Sequence, residues 1–111
     1  NNEVLSRGQE AIQLALAAGV SVGFGSDLMG DLEDDQLCGV RLQVEAGGAL
    51  EALRSMTEVN ARLIGDARLG HLGAGAFGDA VVLASDPIAD PSALWEPDAR
   101  LAVVQGGHVV A

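Results

Sequence analysis

The residues most able to do chemistry are carboxylates. Asp27 closes the stretch Val20-Ser21-Val22-Gly23-Phe24-Gly25-Ser26-Asp27, an apolar run that passes through glycine and stops at an acid. The run reads as a short buried strand. In a β/α fold, the C-terminal end of a parallel strand is where catalytic and metal-binding side chains sit. An aspartate there can ligate a cation or accept a proton. A Ser-Asp pair after a strand also opens ordinary loops and caps helices, so the local pattern leaves both readings open. A second acidic group, Asp31, Glu33, Asp34 and Asp35, lacks the alternating ligands, central glycine and terminal glutamate of a calcium loop. It fits an exposed acidic loop or the rim of a cationic site. Cys38 lies between Leu37 and Gly39-Val40 with no base beside it, and is expected to be a small buried hydrophobe rather than a nucleophile. His71 and His108 have no ligand partners at useful spacing and read as turn or strand-surface residues. The glycines at 70, 73, 75 and 78 do not make a phosphate loop, because there is no Lys-Ser/Thr, no strand before them and no helix after them.

These residues need elements to place them. Glu3 to Ala18 has helical spacing, with Val4, Leu5, Ala11, Ile12, Leu14, Ala15 and Leu16 supplying an apolar face and Gly19 a C-terminal stop. The strand from Val20 to Gly25 follows at once, a short connection typical of β/α proteins. Helical material resumes near Gln36, with Leu37, Val40, Leu42 and Val44 as candidate core, and Gly47-Gly48 breaks it. Ala49 to Ser55 predicts a short helix. Thr57 is expected to cap a further helix from Glu58 to Ile64, ended by Gly65. Asn60 inside that helix suggests a side-chain hydrogen bond to neighbouring backbone. Beyond Arg68 the pattern turns to β: a strand over Asp79 to Ala84, turns at Asp86-Pro87 and Asp90-Pro91, and a hairpin in which Gly106-Gly107 joins Leu101–Gln105 to His108–Val110. The chain thus divides near Gly65 into an αβα part and an all-β part.

Composition bounds the function. The 111 residues are 49% hydrophobic and 20% charged, which is globular material with a core of Val, Leu, Ala and Ile, since aromatics are only 3%. That length suffices for one small domain and not for a whole barrel, which takes roughly 200 residues or more. A net charge of −10 argues against nucleic acid or an anionic membrane as partner. No apolar run approaches the ~18 residues that span a bilayer, and no signal peptide opens the chain. The single cysteine cannot form an internal disulfide, which is compatible with a cytoplasmic location. Beginning at Asn1, directly in helical material, the chain is expected to be a piece of something longer.

Several motifs occur together and in order. Strand-Gly-Ser26-Asp27 is followed by Glu51-Ala52-Leu53-Arg54-Ser55-Met56-Thr57 and Asn60-Ala61-Arg62-Leu63-Ile64-Gly65. Then come Leu69-Gly70-His71-Leu72-Gly73-Ala74-Gly75-Ala76-Phe77-Gly78-Asp79-Ala80-Val81-Val82-Leu83, Asp86-Pro87 and Val104-Gln105-Gly106-Gly107-His108-Val109-Val110. This order resembles the C-terminal portion of the metal-dependent amidohydrolase superfamily. The Ser26-Asp27-Leu28-Met29-Gly30 stretch resembles its imidazolonepropionase-like and Xaa-Pro dipeptidase (prolidase) branch. The resemblance implies an α/β fold. Residues 1–67 would be the last β/α units of a (β/α)8 TIM-like barrel, and 68–111 the C-terminal strands of a small β-sandwich built from both chain ends. It implies that Asp27, ending the eighth barrel strand, binds a metal and takes a proton from the metal-bound water. Ser26, Leu28 and Met29 would line the substrate pocket, although Leu28 and Met29 suit plain apolar packing equally. The implied cofactor is a divalent metal, zinc by expectation, as one or two ions. The implied partners are a small-molecule or dipeptide substrate and the remainder of the parent barrel; whether the parent is a homo-oligomer is left open. The family's His-x-His pair, its bridging lysine or glutamate and its two further histidines belong to earlier strands and do not occur in this chain. Ala74 and Ala76 replace the family's proline and basic residue in the glycine-rich turn.

Two functions follow from different classes. One is the C-terminal part of a hydrolase of amide or other C–N bonds. The other is a non-catalytic structural or interaction fragment of the same fold. A catalytic metal takes about three protein ligands, so the chain alone is expected neither to bind zinc tightly nor to hydrolyse dipeptides.

Overall fold

A computed structural model describes residues 2–26 and 36–111. The first helix, α1 (Asn2–Ala17), ends as its sequence predicts. Gly19 takes φ 75°, Val20 N–H donates to the Ala15 carbonyl at 2.9 Å and Gly19 N–H to that of Leu16 at 3.1 Å. This pair of crossed bonds is a Schellman stop, which satisfies the last helical carbonyls and turns the chain sharply. Gln9, Ile12, Ala15 and Leu16 form the more covered face of α1, which packs on α2 (Gln36–Gly47). The contact is close: a Cβ on Gly47 would lie 2.8 Å from Leu16 Cδ1.

After Gly48, at φ 90°, come α3 (Ala49–Arg54), a π-helical turn (Ser55–Val59) and α4 (Asn60–Ile64). They form one uninterrupted helical rod. The N-cap expected at Thr57 is therefore not made. Its hydroxyl instead donates back to the Leu53 carbonyl at 2.7 Å, a bond that competes with the helical ladder and suits the wide π turn. Gly65, at φ 86°, ends the rod as expected.

The β part is an antiparallel sheet of β1 (Ala80–Leu83), β2 (Arg100–Gln105) and β3 (His108–Val109) in the order β1-β2-β3. Val81 faces Val103, and a bulge between Val82 and Leu83 brings Leu83 opposite Arg100. The expected hairpin forms, with Gly106 and Gly107 at φ 59° and 82°. Two positive φ angles give the type I′ turn whose twist matches the strands. Asp79 Oδ1 accepts from Gly106 N–H at 2.9 Å and so ties the start of β1 to that turn. The described chain is thus a mixture of helices and a small antiparallel sheet. A 3₁₀ turn, Pro91–Leu94, carries the β part onto α2.

The core is thin. Val40, Ala52, Val59, Ala61 and Ala93 are its buried apolar residues, and no large side chain among the described residues is fully covered. Cys38 corrects the sequence expectation, since it is exposed. On α2, Gly39 faces the Phe24 ring and Val40 is buried, so position 38 falls on the outward side of the helix. Between the sheet and the helices runs an open apolar cleft of about 810 Å³, whose walls include Val40, Leu53, Met56, Val81, Leu83 and Val103. Among the described residues no helix is long and apolar enough to cross a membrane.

Candidate functional site

The segment from Val20 to Ser26 leads to the sequence-predicted site. It is not the buried strand that its composition suggests. Among the described residues it pairs with no strand, and Val22, Gly23, Phe24 and Ser26 are only half-buried. A parallel strand needs a neighbour on its edge to form a ladder, and no strand within the described residues lies beside it.

A side chain takes that place. Asn60, the first residue of α4, accepts from Phe24 N–H at Oδ1 and donates from Nδ2 to the Phe24 carbonyl, both at 2.9 Å. One amide therefore satisfies both backbone groups of a residue 36 positions away, as a paired strand would. The hydrogen bond to backbone expected of Asn60 exists, but it spans the fold rather than the neighbouring turn. Gly23 is what lets the helix come so close. A Cβ there would collide with Asn60 Oδ1 and would lie 2.7 Å from Leu63 Cδ1. The Phe24 ring lies against Gly39 of α2, where an added Cβ would stand 3.3 Å away. Backbone and ring of Phe24 are thus held by different helices.

Ser26, half-buried, is the last described residue of this segment. Asp27, Leu28 and Met29, and the acidic group Asp31, Glu33, Asp34 and Asp35, lie outside the described residues. His71 and His108 are both exposed. The His71 ring braces the glycine-rich turn: Nδ1 accepts from Gly73 N–H at 3.0 Å, which leaves Nε2 as the donor to the Ala67 carbonyl at 2.9 Å. His108 lies on β3. Where the rod ends, Arg68 grips Asp66 through Nε and Nη2 at 3.0 and 2.9 Å and through its own N–H at 2.9 Å. The Arg68 side-chain hydrogen bonds, then the backbone one, hold the Asp66 carboxyl down at about 2. The guanidinium also lies 4.6 Å from the Phe77 ring centroid.

The chain matches the amidohydrolase family over residues 1–110. The chain belongs to the amidohydrolase family. No match was found among curated proteins. Among solved structures, this amidohydrolase chain is similar to a prolidase crystallised with N-methylphosphonate-L-proline, at 37% identity and a TM-score of 0.88, covering 93% of this chain and 26% of that one. It is similar to another amidohydrolase at 28% identity and TM-score 0.88, covering 94% and 26% of the two chains. A Xaa-Pro dipeptidase with methionine bound in its active site matches at 25% identity and TM-score 0.80, covering 92% and 25%. Within the family the likeness is to the prolidase-like branch, as the Ser26-Asp27-Leu28-Met29-Gly30 stretch implied. The chain spans about a quarter of the length of these structures.

The amidohydrolase family generally uses divalent metals. Among the described residues no three His, Cys, Asp or Glu side chains come together to hold one. A site for such an ion is therefore not supplied by the described part of the chain. The residue whose hydrogen bond the sequence placed too locally is Asn60. Its signal was a short polar amide between two apolar residues, Val59 and Ala61, both of which are buried.

Proposed function

We propose that this chain is the C-terminal part of a metal-dependent hydrolase of amide or other C–N bonds, with Xaa-Pro dipeptides among its substrates. The observation that supports this most is the 37% identity to a prolidase crystallised with N-methylphosphonate-L-proline. In this reading residues 1–67 are the last β/α units of a barrel and 68–111 the C-terminal share of a composite β-sandwich. The rest of the barrel, including most metal ligands, comes from other parts of a longer protein, which works in the cytoplasm. A bound divalent ion such as zinc supplies the Lewis acidity for attack on the scissile carbonyl. This chain's share is the Asp27 carboxylate, as one ligand and as proton acceptor. Ser26, Leu28 and Met29 line the substrate pocket.

The test is made in the full-length protein. Asp27→Asn keeps the size and removes the basic oxygen, and kcat on Xaa-Pro dipeptides is expected to fall by ~100-fold or more at an unchanged melting temperature. Near-normal turnover would remove Asp27 from the reaction. The 111 residues alone are expected to show neither dipeptide hydrolysis nor tight zinc binding. Submicromolar zinc affinity that Asp27→Ala abolishes would show that the chain carries a complete site of its own.

A further inference from the structure

We infer that Asn60 is a positioning residue for the hydrolase: its side-chain amide fixes the backbone that delivers Asp27. This rests on the role proposed above for Asp27. The inference is carried by the paired 2.9 Å bonds between Asn60 and Phe24, three residues before that acid.

Three features make the contact a device rather than an incidental bond. First, it is complete. The N–H and C=O of one residue are both satisfied by one amide, so the backbone at Phe24 is fixed in position and in rotation about the chain axis. Second, it is built into a tight approach. Gly23 has no room for a Cβ against Asn60 and Leu63, and Gly39 has little against the Phe24 ring. Third, the rod is shaped for it. The π turn Ser55–Val59 immediately precedes Asn60. A π turn holds one residue more than an α turn, so it rotates everything after it by roughly 100° relative to an unbroken α-helix. Buried Ser55 and Val59 anchor that turn, and Asn60 is the first residue to emerge in the new orientation.

The amide acts on no reacting atom itself. It limits how far the backbone at Gly25 and Ser26, which leads into the acid, can shift. A displacement of about 1 Å in a catalytic group costs on the order of 100-fold in rate, and loss of residues that orient ligands typically costs 10–100-fold.

The experiment compares Asn60→Ala with Leu63→Ala in the full-length protein. Leu63 packs on the same Gly23 but makes no hydrogen bond to the segment, so it controls for lost packing. Amide hydrogen exchange is read by mass spectrometry in peptides covering 20–26 and, as a remote reference, the hairpin 100–109. Kinetics are read on an Xaa-Pro dipeptide. Asn60→Ala is expected to speed exchange in 20–26 by about tenfold or more and to leave the hairpin unchanged. It is expected to lower kcat by ~10–100-fold with little change in KM. Leu63→Ala is expected to leave kcat near the wild-type value. Unchanged exchange in 20–26, or exchange that rises equally in the hairpin, overturns the inference. So does local loosening with undiminished kcat, or an equal loss of kcat in Leu63→Ala. If the wild-type protein hydrolyses no amide or dipeptide, the proposed function falls and the positioning role with it, while the exchange result still decides whether the amide holds the segment.

Discussion

At Asp66 three hydrogen bonds from Arg68 hold one carboxylate, and they set its response to acid. The folded carboxyl sits at about 2, below its ordinary value, because the bound guanidinium and N–H favour the charged form. The sign follows from linkage: a depressed acid adds stability above its unfolded value, near 3.9, and loses that stability as pH falls through the folded value. The link between the helical rod and the glycine-rich stretch is therefore expected to be insensitive to pH from neutrality to about 4 and to loosen below that. A carboxyl carbon-13 titration of Asp66 is expected to find its midpoint near 2, and a midpoint at the ordinary value would show that the grip does not persist in solution. Because the pair is open to water, its protonation is a local marker rather than a large term in folding.

At the scale of elements, two glycines of the same stretch should behave differently. Gly70 has φ 80°, and a Cβ there would lie 2.6 Å from the Thr57 carbonyl oxygen and 2.9 Å from Ala61 Cβ. Gly75 has φ 86° and nothing near it. Gly75→Ala is expected to cost only the left-handed strain, about 1–2 kcal/mol. Gly70→Ala adds a backbone collision with the π turn and is expected to cost clearly more, read from denaturant midpoints of the two variants. Equal costs would mean that the glycine-rich stretch does not press on the rod. The sequence made both of these glycines visible as turn residues but not their difference, since the clash involves a turn 13 positions earlier. The same contrast holds throughout. Gly19, Gly65 and Gly106-Gly107 were legible because helix stops and hairpin turns are local rules of φ. The rod through Thr57 was not, because its hydroxyl satisfies Leu53 instead of capping a new helix. The segment after Gly19 has strand composition, but whether it becomes a strand depends on neighbours that no local pattern reports. Asn60 announced a hydrogen bond, and only the packing of α4 on Gly23 identifies its partner.

The whole molecule shows what its thin core leaves over. Val4, Leu14, Leu72 and Val109 each expose more than 60% of their surface, and the apolar cleft between sheet and helices stands open. A net charge of −10 opposes association, but the Debye length at physiological salt is only about 8 Å, whereas apolar contact is short-ranged and survives screening. The isolated 111 residues are therefore expected to self-associate, and more so as salt is raised, in size-exclusion chromatography with light scattering. A monodisperse, cooperatively melting monomer at all salt concentrations would show that this surface needs no cover. The clasp on Phe24 has a consequence for whatever lies beside the segment. In an extended chain the N–H and C=O of one residue point to the same side, and at Phe24 that side is taken by Asn60. A strand pairing along that border would have to end before it reaches Phe24, so Asn60 works as an end-stop on that side.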